Sequence, residues 1–239
     1  MARRRFFVDH FHNQQAELRG EEAHHLTQVL RVEAGQKYEV SDNNLVFLAE
    51  VEMARKDRVV FRTLEQIPAN VPPVHISLLL ALIKFDHFEL VLEKATELGV
   101  GEITPLIANR SERGIEHAVE KRSLRWKRIL LEASQQSRRT HLPVLHGAVR
   151  VRQAVETPAT HRLFLDEDRT GLPILRHIAE PGVEDSVALM VGPEGGWVDA
   201  ERELATAAGW KPVSLGPLIL RAETAAIASL AVIDALYMR

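Results

Sequence analysis

The sequence predicts an α/β protein with a small, mostly β N-terminal part and a larger C-terminal part built on a parallel sheet. Three observations predict this. Short strand-like segments fill residues 1–67, prolines interrupt the chain three times within 68–73, and apolar strand-like segments alternate with helical ones from residue 74 onwards. Alternating strands and helices favour a parallel sheet with helices on both faces. We therefore expect one domain over residues 1–70 and a second over 73–239.

The first part contains four strand-like segments, at residues 4–9, 36–42, 45–54 and 58–67. Asn43 and Asn44 separate the second and third of these segments and suit a tight hairpin turn. A short helix is expected over 20–32, where acidic residues occupy the first turn and apolar residues share one face. The pattern predicts a small β-barrel with one helix.

The second part begins with residues 74–82, a continuous apolar run that is typical of a strand buried on both faces. Four more strands are expected, at 102–108, 161–167, 186–192 and 211–216. Helices are expected between and after them, at 87–100, 120–136, 172–180, 199–209 and 223–238.

Composition limits the possible classes of protein. The chain has 239 residues, 46% of them hydrophobic, and no cysteine. The lack of cysteine excludes disulfides, thiolate metal sites and cysteine nucleophiles, and it fits a reducing compartment. No apolar run approaches the ~20 residues that span a bilayer, and the 11 histidines show no metal-ligand spacing. We expect a soluble cytoplasmic protein without a membrane segment or a metal.

Charge is distributed unevenly along the chain. The net charge is −3, but residues 110–152 carry 11 Lys and Arg against 4 Asp and Glu. A local positive field of this kind attracts phosphate backbones. A solvated helix face would have the same composition, so both interpretations stay open.

Two glycine-containing loops follow neighbouring predicted strands. The first loop contains Gly192, Gly195 and Gly196 and follows one predicted strand, and the second contains Gly216 and follows the next. Ligands bind at the carboxyl ends of parallel strands, and glycine lets main-chain groups approach them. Neither loop matches the common phosphate-binding patterns. The loops favour a main-chain pocket for a planar base with a small polar tail, with two plain turns as the alternative.

At this point the chain resembles a known family. The segments "GPEGGW", "LGPLILRAETAAIASL", "KATELGV" and "ASQQSRRTHLPVL", together with "RRFFVD" and "HHLTQVLRV", resemble the bacterial 16S ribosomal RNA uridine N3-methyltransferases of the SPOUT superfamily. The resemblance covers essentially the whole chain. It implies a C-terminal SPOUT sheet with a trefoil knot, an N-terminal PUA-like RNA-binding barrel, S-adenosylmethionine as cofactor, 16S rRNA or the small ribosomal subunit as partner, and a homodimer.

The resemblance also implies site residues. Those expected to bind S-adenosylmethionine are Leu165, Gly192, Glu194, Gly195, Gly196, Leu215, Gly216 and Leu220. Methylation of uridine N3 requires loss of the imide proton and stabilisation of charge on the uracil carbonyl oxygens. We expect Arg221 to stabilise that charge, Glu223 to serve as a possible base, and Arg139 to act as a second candidate for the base or for a phosphate contact. The expected RNA contacts are Arg3, Arg4, Arg5, Arg31, Lys84, Arg110 and Arg113.

Some positions depart from the family pattern. Leu218 replaces a residue that is often basic, and Phe85 and His87 differ from a motif that Lys84 and Asp86 match. Two other functions stay open at this level. One is a ribose 2′-O-methyltransferase of the same fold acting on tRNA or 23S rRNA. The other is a non-catalytic RNA-binding assembly factor.

Overall fold

A computed structural model describes residues 4–112, 114–167, 171–178 and 180–238 of the chain. The chain divides into two compact units. The first unit comprises the residues up to Val71 together with Ser134–Leu142, and the second comprises Pro72–Ala133 and the residues from Pro143 onwards. The sequence-based division at residues 70 and 73 assigned Ser134–Leu142 to the second domain, whereas in the structure this segment packs with the first unit.

The first unit is a curled five-stranded sheet. Its strands are β1 (Arg5–Phe7), β2 (Gln15–Arg19), β3 (Lys37–Ser41), β4 (Val46–Arg55) and β5 (Arg58–Gln66), in the spatial order β1-β3-β4-β5-β2. β1 and β3 pair in parallel, and the other neighbours are antiparallel. Helix α1 (Gly20–His24) runs into a π-helical turn at His25–Val29. The sheet is a half-barrel around an apolar core, which confirms the β-rich prediction, although β2 was not predicted.

A buried ionic network attaches the segment Ser134–Leu142, here called the returning segment, to this half-barrel. Arg5 is 1% exposed and donates from Nε and Nη2 to Glu39 Oε2, at 3.1 and 2.9 Å. Its Nη1 donates to the carbonyl oxygen of Arg138 at 2.6 Å and to Thr140 Oγ1 at 3.3 Å. Arg138 forms a second ion pair with Glu39. Buried charges require such partners, and the expectation that Arg5 contacts RNA is therefore wrong.

The second unit contains an eight-stranded parallel sheet. Its strands are β6 (His75–Ala81), β7 (Glu102–Ile107), β8 (Val144–Leu145), β9 (Val149–Arg150), β10 (His161–Leu165), β11 (Leu172–Pro173), β12 (Ser186–Val191) and β13 (Lys211–Ser214). The spatial order is β11-β13-β10-β12-β6-β7-β8, with β9 also paired to β7, and every pairing is parallel. The predicted α/β architecture is confirmed.

The helices associated with this sheet are α2 (Phe85–Glu97), α3 (Val119–Ser137), α4 (Val151–Ala154), α5 (Ile174–His177), α6 (Asp199–Ala207) and α7 (Ala222–Tyr237), and a 3₁₀ turn covers Ile115–Ala118. The last residues of α3 belong to the returning segment of the first unit. Within the described ranges, none of the helices is both long and apolar enough to cross a membrane.

Apolar layers cover both faces of the sheet. Leu78 and Leu80 of β6 belong to one core cluster, which includes Trp126 of α3 and residues of α2 and α7. Leu79 of β6 belongs to a second cluster, which includes Trp210. Successive side chains of a strand point to opposite faces, so the apolar run at 74–82 is buried on both sides, as predicted.

The order of the strands positions the candidate site. β10 lies between β12 and β13 and is parallel to both. The carboxyl ends of these three strands therefore meet at one edge of the sheet, and the glycine-containing loops follow two of them. The trefoil knot implied by the resemblance stays a prediction.

Candidate active site

A cavity of about 670 Å³ lies at the shared edge of β10, β12 and β13. Three loops line it, at residues 165–167, 191–197 and 214–222. The lining includes seven of the expected cofactor residues, which are Leu165, Gly192, Glu194, Gly196, Leu215, Gly216 and Leu220. Gly195 is not among the lining residues. The strand-end loops predicted from sequence therefore form one cavity.

Trp197 joins two of these loops. Its indole Nε1 donates to the carbonyl oxygen of Leu165 at 2.7 Å, and its side chain is buried. A methyl group placed on Gly192 would lie 2.9 Å from Trp197 Cε2. Gly192 is therefore required by the packing of the indole as well as by its place in the cavity wall.

The other glycines of the loop also contact protein side chains. A methyl group on Gly195 would lie 3.0 Å from Arg110 Cβ, and Arg110 Nη1 donates to the carbonyl oxygen of Gly195 at 2.8 Å. Gly196 has a φ of +69°, and a methyl group there would overlap the Glu167 carboxylate. A β-carbon at residues 195 and 196 would therefore meet neighbouring side chains in the protein itself.

Arg202 of α6 organises the acidic side of the cavity. Its Nε and Nη2 donate to the two carboxylate oxygens of Asp166, at 2.8 and 3.0 Å. Its Nη1 donates to the carbonyl oxygen of Trp197 at 2.8 Å and to Asp199 Oδ1 at 3.2 Å. Glu167 Oε1 lies 3.7 Å from Nη2. One guanidinium thus connects the loop after β10 to the start of α6.

Arg221 and Glu223 diverge at the start of α7. Arg221 is exposed, lines the cavity and occupies the N-cap position of the helix. Glu223 is 8% exposed and is not among the residues that line the cavity. Its Oε2 lies 3.7 Å from His87 Nδ1, and neither of these buried atoms has a hydrogen-bond partner in the described part of the chain. Arg221 is therefore placed for contact with a ligand, whereas Glu223 faces α2.

Arg139 belongs to the first unit and is 9% exposed. Its Nε donates to the carbonyl oxygen of His141 at 3.0 Å. Burial lowers the pKa of Arg139 to about 10, so the guanidinium stays protonated at neutral pH and cannot accept a proton. The burial and charge of Arg139 argue against a role as a base, and its contact with a phosphate stays a prediction.

Of the remaining residues that are expected to contact RNA, four are exposed and two lie outside the described part of the chain. Arg4, Arg31, Lys84 and Arg110 are exposed. Arg3 and Arg113 lie outside the described residues. Of the exposed residues, Arg110 also stabilises the loop that ends β12 through its bond to Gly195.

Much of the positive charge in residues 110–152 is paired within the protein. Arg122 and Arg125 of α3 each bind one carboxylate oxygen of Glu89 at 2.8 Å. Arg128 pairs with Glu132 at 2.9 Å along the same helix. Glu89 lies outside residues 110–152 and offsets part of their formal excess of positive charge, whereas Glu132 is already counted in that excess.

Sequence reasoning missed several side chains of the site. Asp166, Glu167 and Trp197 line the cavity, and Arg202 holds the first of them. The available signal was the acidic pair directly after a buried strand. Arg202 lies further along the chain, in α6 beyond α5 and β12, and its contact with Asp166 is not visible in the local sequence.

The comparisons with known proteins agree with this architecture. The family described as "RNA methyltransferase domain" matches residues 70–234, and the family described as "RNA methyltransferase PUA domain" matches residues 18–64. Ribosomal RNA small subunit methyltransferase E of Synechocystis is 36% identical over 219 residues, covering 89% of this chain and 70% of that protein. The Mycobacterium bovis protein of the same name is 32% identical, covering 92% of this chain and 86% of its own length.

Solved structures are similar over nearly the full length. A Legionella pneumophila methyltransferase in complex with bound cofactor SAM has a TM-score of 0.89 and 33% identity, covering 99% of this chain and 98% of that one. Ribosomal RNA small subunit methyltransferase E of Neisseria gonorrhoeae, bound to S-adenosyl methionine, has a TM-score of 0.89 and 29% identity, covering 98% of each chain.

The protein combines a parallel sheet that carries a strand-end cavity with a PUA-type half-barrel. This combination places it among the RNA methyltransferases. Within that class, the identity to named relatives over most of both chains is decisive. The chain belongs to the ribosomal RNA small subunit methyltransferase E family.

Proposed function

We propose that this chain transfers a methyl group from S-adenosylmethionine to N3 of a uridine in 16S rRNA of the small ribosomal subunit. The observation that carries the proposal is the cavity formed by three strand-end loops, in a chain that belongs to this family. Relatives with this fold have been solved with S-adenosylmethionine bound.

The residues of the cavity fit this cofactor. A cavity of about 670 Å³ is within the size range of small-molecule clefts. Leu165, Leu215 and Leu220 supply apolar wall suited to an adenine ring. Gly216 has a φ of +143°, and no atom of the described residues lies within 4 Å of the position that its β-carbon would occupy. The described residues therefore leave space beside the cavity at this position.

Arg221 supplies the chemistry for the base that is methylated. Bound S-adenosylmethionine supplies a methyl group on a sulfonium centre. The Arg221 guanidinium, exposed at the cavity wall, stabilises the negative charge that develops on a uracil carbonyl oxygen as the N3 proton passes to solvent water. Glu223 supports this arrangement indirectly, because a negative charge in the first turn stabilises the helix that Arg221 caps.

The target uridine must leave its base pair or stack to expose N3. Arg4, Arg31, Lys84 and Arg110 are exposed cations available for the surrounding phosphates. Phosphate contacts position an RNA without reading its sequence. We assign these residues a positioning role and place the activity in the cytoplasm, where ribosomal subunits are assembled.

The outer face of α7 supports a homodimer. The helix buries Ala226, Leu230 and Ile233, while Ala231 and Ala235 are exposed. A helix that is apolar all round is normally covered on all sides. Leu218 and Ile219 in the loop before it are 78% and 82% exposed. A second copy of this chain, packed on α7, would cover this apolar surface.

The test of function is mass spectrometry of nucleosides from 16S rRNA and from isolated small subunits, each incubated with the protein and S-adenosylmethionine. The expected product is 3-methyluridine in at least one of the two substrates. A 2′-O-methylated nucleoside would assign the chain to ribose methylation instead. Absence of both products, together with no calorimetric binding of S-adenosylmethionine, would favour a non-catalytic RNA-binding factor.

A further inference from the structure

Carboxylates dominate the charged groups of the cavity wall. Asp166, Glu167 and Glu194 line it, whereas Arg221 is the cation among the lining residues of the described chain. Asp166 is neutralised by the two-point contact from Arg202. Glu167 and Glu194 lack a two-point contact of this kind among the described residues, so the wall has an excess of negative charge.

Arg202 is too heavily shared to neutralise Glu167 as well. It donates hydrogen bonds to Asp166 and Asp199, and its Nη2 lies 3.7 Å from Glu167 Oε1, beyond hydrogen-bond distance. Three carboxylates around one guanidinium leave a formal charge of −2. The Glu167 side chain is 43% exposed, so its charge is available to a ligand in the cavity.

The Glu167 carboxylate lies beside Gly196 as well as being exposed. It packs against the main chain of Gly196, where the positive φ and the absence of a β-carbon make room for it. Gly196 itself lines the cavity. The charge of Glu167 therefore lies at the cavity wall beside Gly196.

We propose that Glu167 is a specificity-determining residue that favours the sulfonium form of the cofactor over the demethylated product. This inference rests on the proposed function. At neutral pH S-adenosylmethionine carries a sulfonium, an ammonium and a carboxylate, and S-adenosylhomocysteine lacks the sulfonium charge. A carboxylate at the wall of a partly desolvated cavity attracts the ligand with the additional positive charge. Arg202 is the positioning residue that keeps the neighbouring Asp166 from adding a second, unpaired charge.

The experiment is isothermal titration calorimetry of the full-length protein and of Glu167→Gln with three ligands. These are S-adenosylmethionine, S-adenosylhomocysteine and sinefungin, in which a charged amine replaces the methylsulfonium group. In Glu167→Gln we expect affinity for the two charged ligands to fall about threefold to tenfold, as for one partly solvated charge pair. Affinity for S-adenosylhomocysteine should remain at the wild-type value.

Asp199→Asn is the matched control. It also removes a carboxylate that contacts Arg202, but its side chain is 94% exposed and is not among the residues that line the cavity. In this variant the ratio of the affinity for S-adenosylmethionine to the affinity for S-adenosylhomocysteine should be the same as in the wild type. An equal loss for all three ligands in Glu167→Gln, or no loss for any, would overturn the inference. Failure of the wild-type protein to bind S-adenosylmethionine would instead overturn the proposed function.

Discussion

At the scale of single residues, Arg221 is the side chain on which turnover should depend most. It is exposed in the cavity wall, and its planar guanidinium offers paired hydrogen-bond donors. We expect Arg221→Ala to lower kcat by about 10²–10³, the usual effect of losing one charge-stabilising donor. The measurement is single-turnover methylation of 16S rRNA, with S-adenosylmethionine affinity measured separately by calorimetry.

Arg221→Lys is the companion variant, and we expect it to recover only part of the loss because an ammonium lacks the paired donors of a guanidinium. Normal turnover in Arg221→Ala would contradict the proposed stabilisation of the carbonyl charge. A loss of affinity for S-adenosylmethionine of the same size as the loss of turnover would assign Arg221 to cofactor binding instead.

Gly192 is the residue at which added volume should be most damaging. In Gly192→Ala the new methyl group would lie 2.9 Å from the Trp197 indole, which would have to move from its bond to Leu165. We expect destabilisation of roughly 1–3 kcal/mol, typical of overpacking, and weaker binding of S-adenosylmethionine. Urea unfolding and calorimetry measure the two effects.

Gly147→Ala serves as its control, because no atom in the described part of the chain lies within 4 Å of the added carbon. Equal stability of the two variants would show that the indole tolerates the methyl group.

The site residues show how far sequence alone reaches. The position of the cavity could be predicted, because glycines after adjacent parallel strands mark a strand-end site. The orientation of Glu223 and the burial of Arg139 could not, since both depend on which helix or strand packs against them. The glycines at 192, 195 and 196 were interpreted as space for a ligand, and the structure adds protein side chains packed against each of them.

At the scale of secondary-structure elements, Glu102, the first residue of β7, connects the start of β6 to the end of β8. It accepts hydrogen bonds from Nε2 of His75, at the start of β6, at 2.9 Å and from Nε2 of His146, just after β8, at 2.7 Å. Partial burial alone would raise the pKa of Glu102, but the bonds from His146 and His75 outweigh burial and the pKa is lowered.

A carboxyl group with a lowered folded-state pKa stabilises the fold above its unfolded-state pKa, and that contribution is lost as the pH falls through the folded-state value. We therefore expect Glu102→Gln to be less stable than wild type at pH 7, by at most about 1 kcal/mol for such an exposed cluster. The difference should shrink as the pH is lowered below the ordinary glutamate pKa of 4.5. Urea unfolding across this pH range tests the prediction, and a constant difference would contradict it.

The elements themselves were predicted unevenly. The long apolar strands and amphipathic helices were predicted because each spans several periods of its pattern. β8, β9 and β11 contain two residues each, which is too short for any period to be visible. These two-residue strands are extended because a neighbouring strand forms hydrogen bonds with them. The position of that neighbour cannot be read from the two residues themselves.

At the scale of the whole molecule, the outer face of α7 makes the dimer testable. Ala231 is exposed on a helix whose other side is buried in the core. We expect Ala231→Glu to convert a dimer to a monomer in sedimentation equilibrium, because a carboxylate would be buried without a partner at the interface. Leu124→Glu, at an 80% exposed position of α3, is the control and should leave the dimer intact. A wild-type monomer, or a dimeric Ala231→Glu, would exclude α7 as the interface.

The buried contacts between Arg5 and the segment Ser134–Leu142 have a consequence for protein engineering. The half-barrel module is not encoded by one uninterrupted stretch, so a fragment truncated at Val71 would lack the backbone carbonyl and the hydroxyl that accept hydrogen bonds from Arg5 Nη1. Transplanting this module into a related enzyme needs two exchanged segments. A graft of the amino-terminal portion alone would keep the Arg5–Glu39 ion pair but would leave the buried Nη1 of Arg5 without its two acceptors.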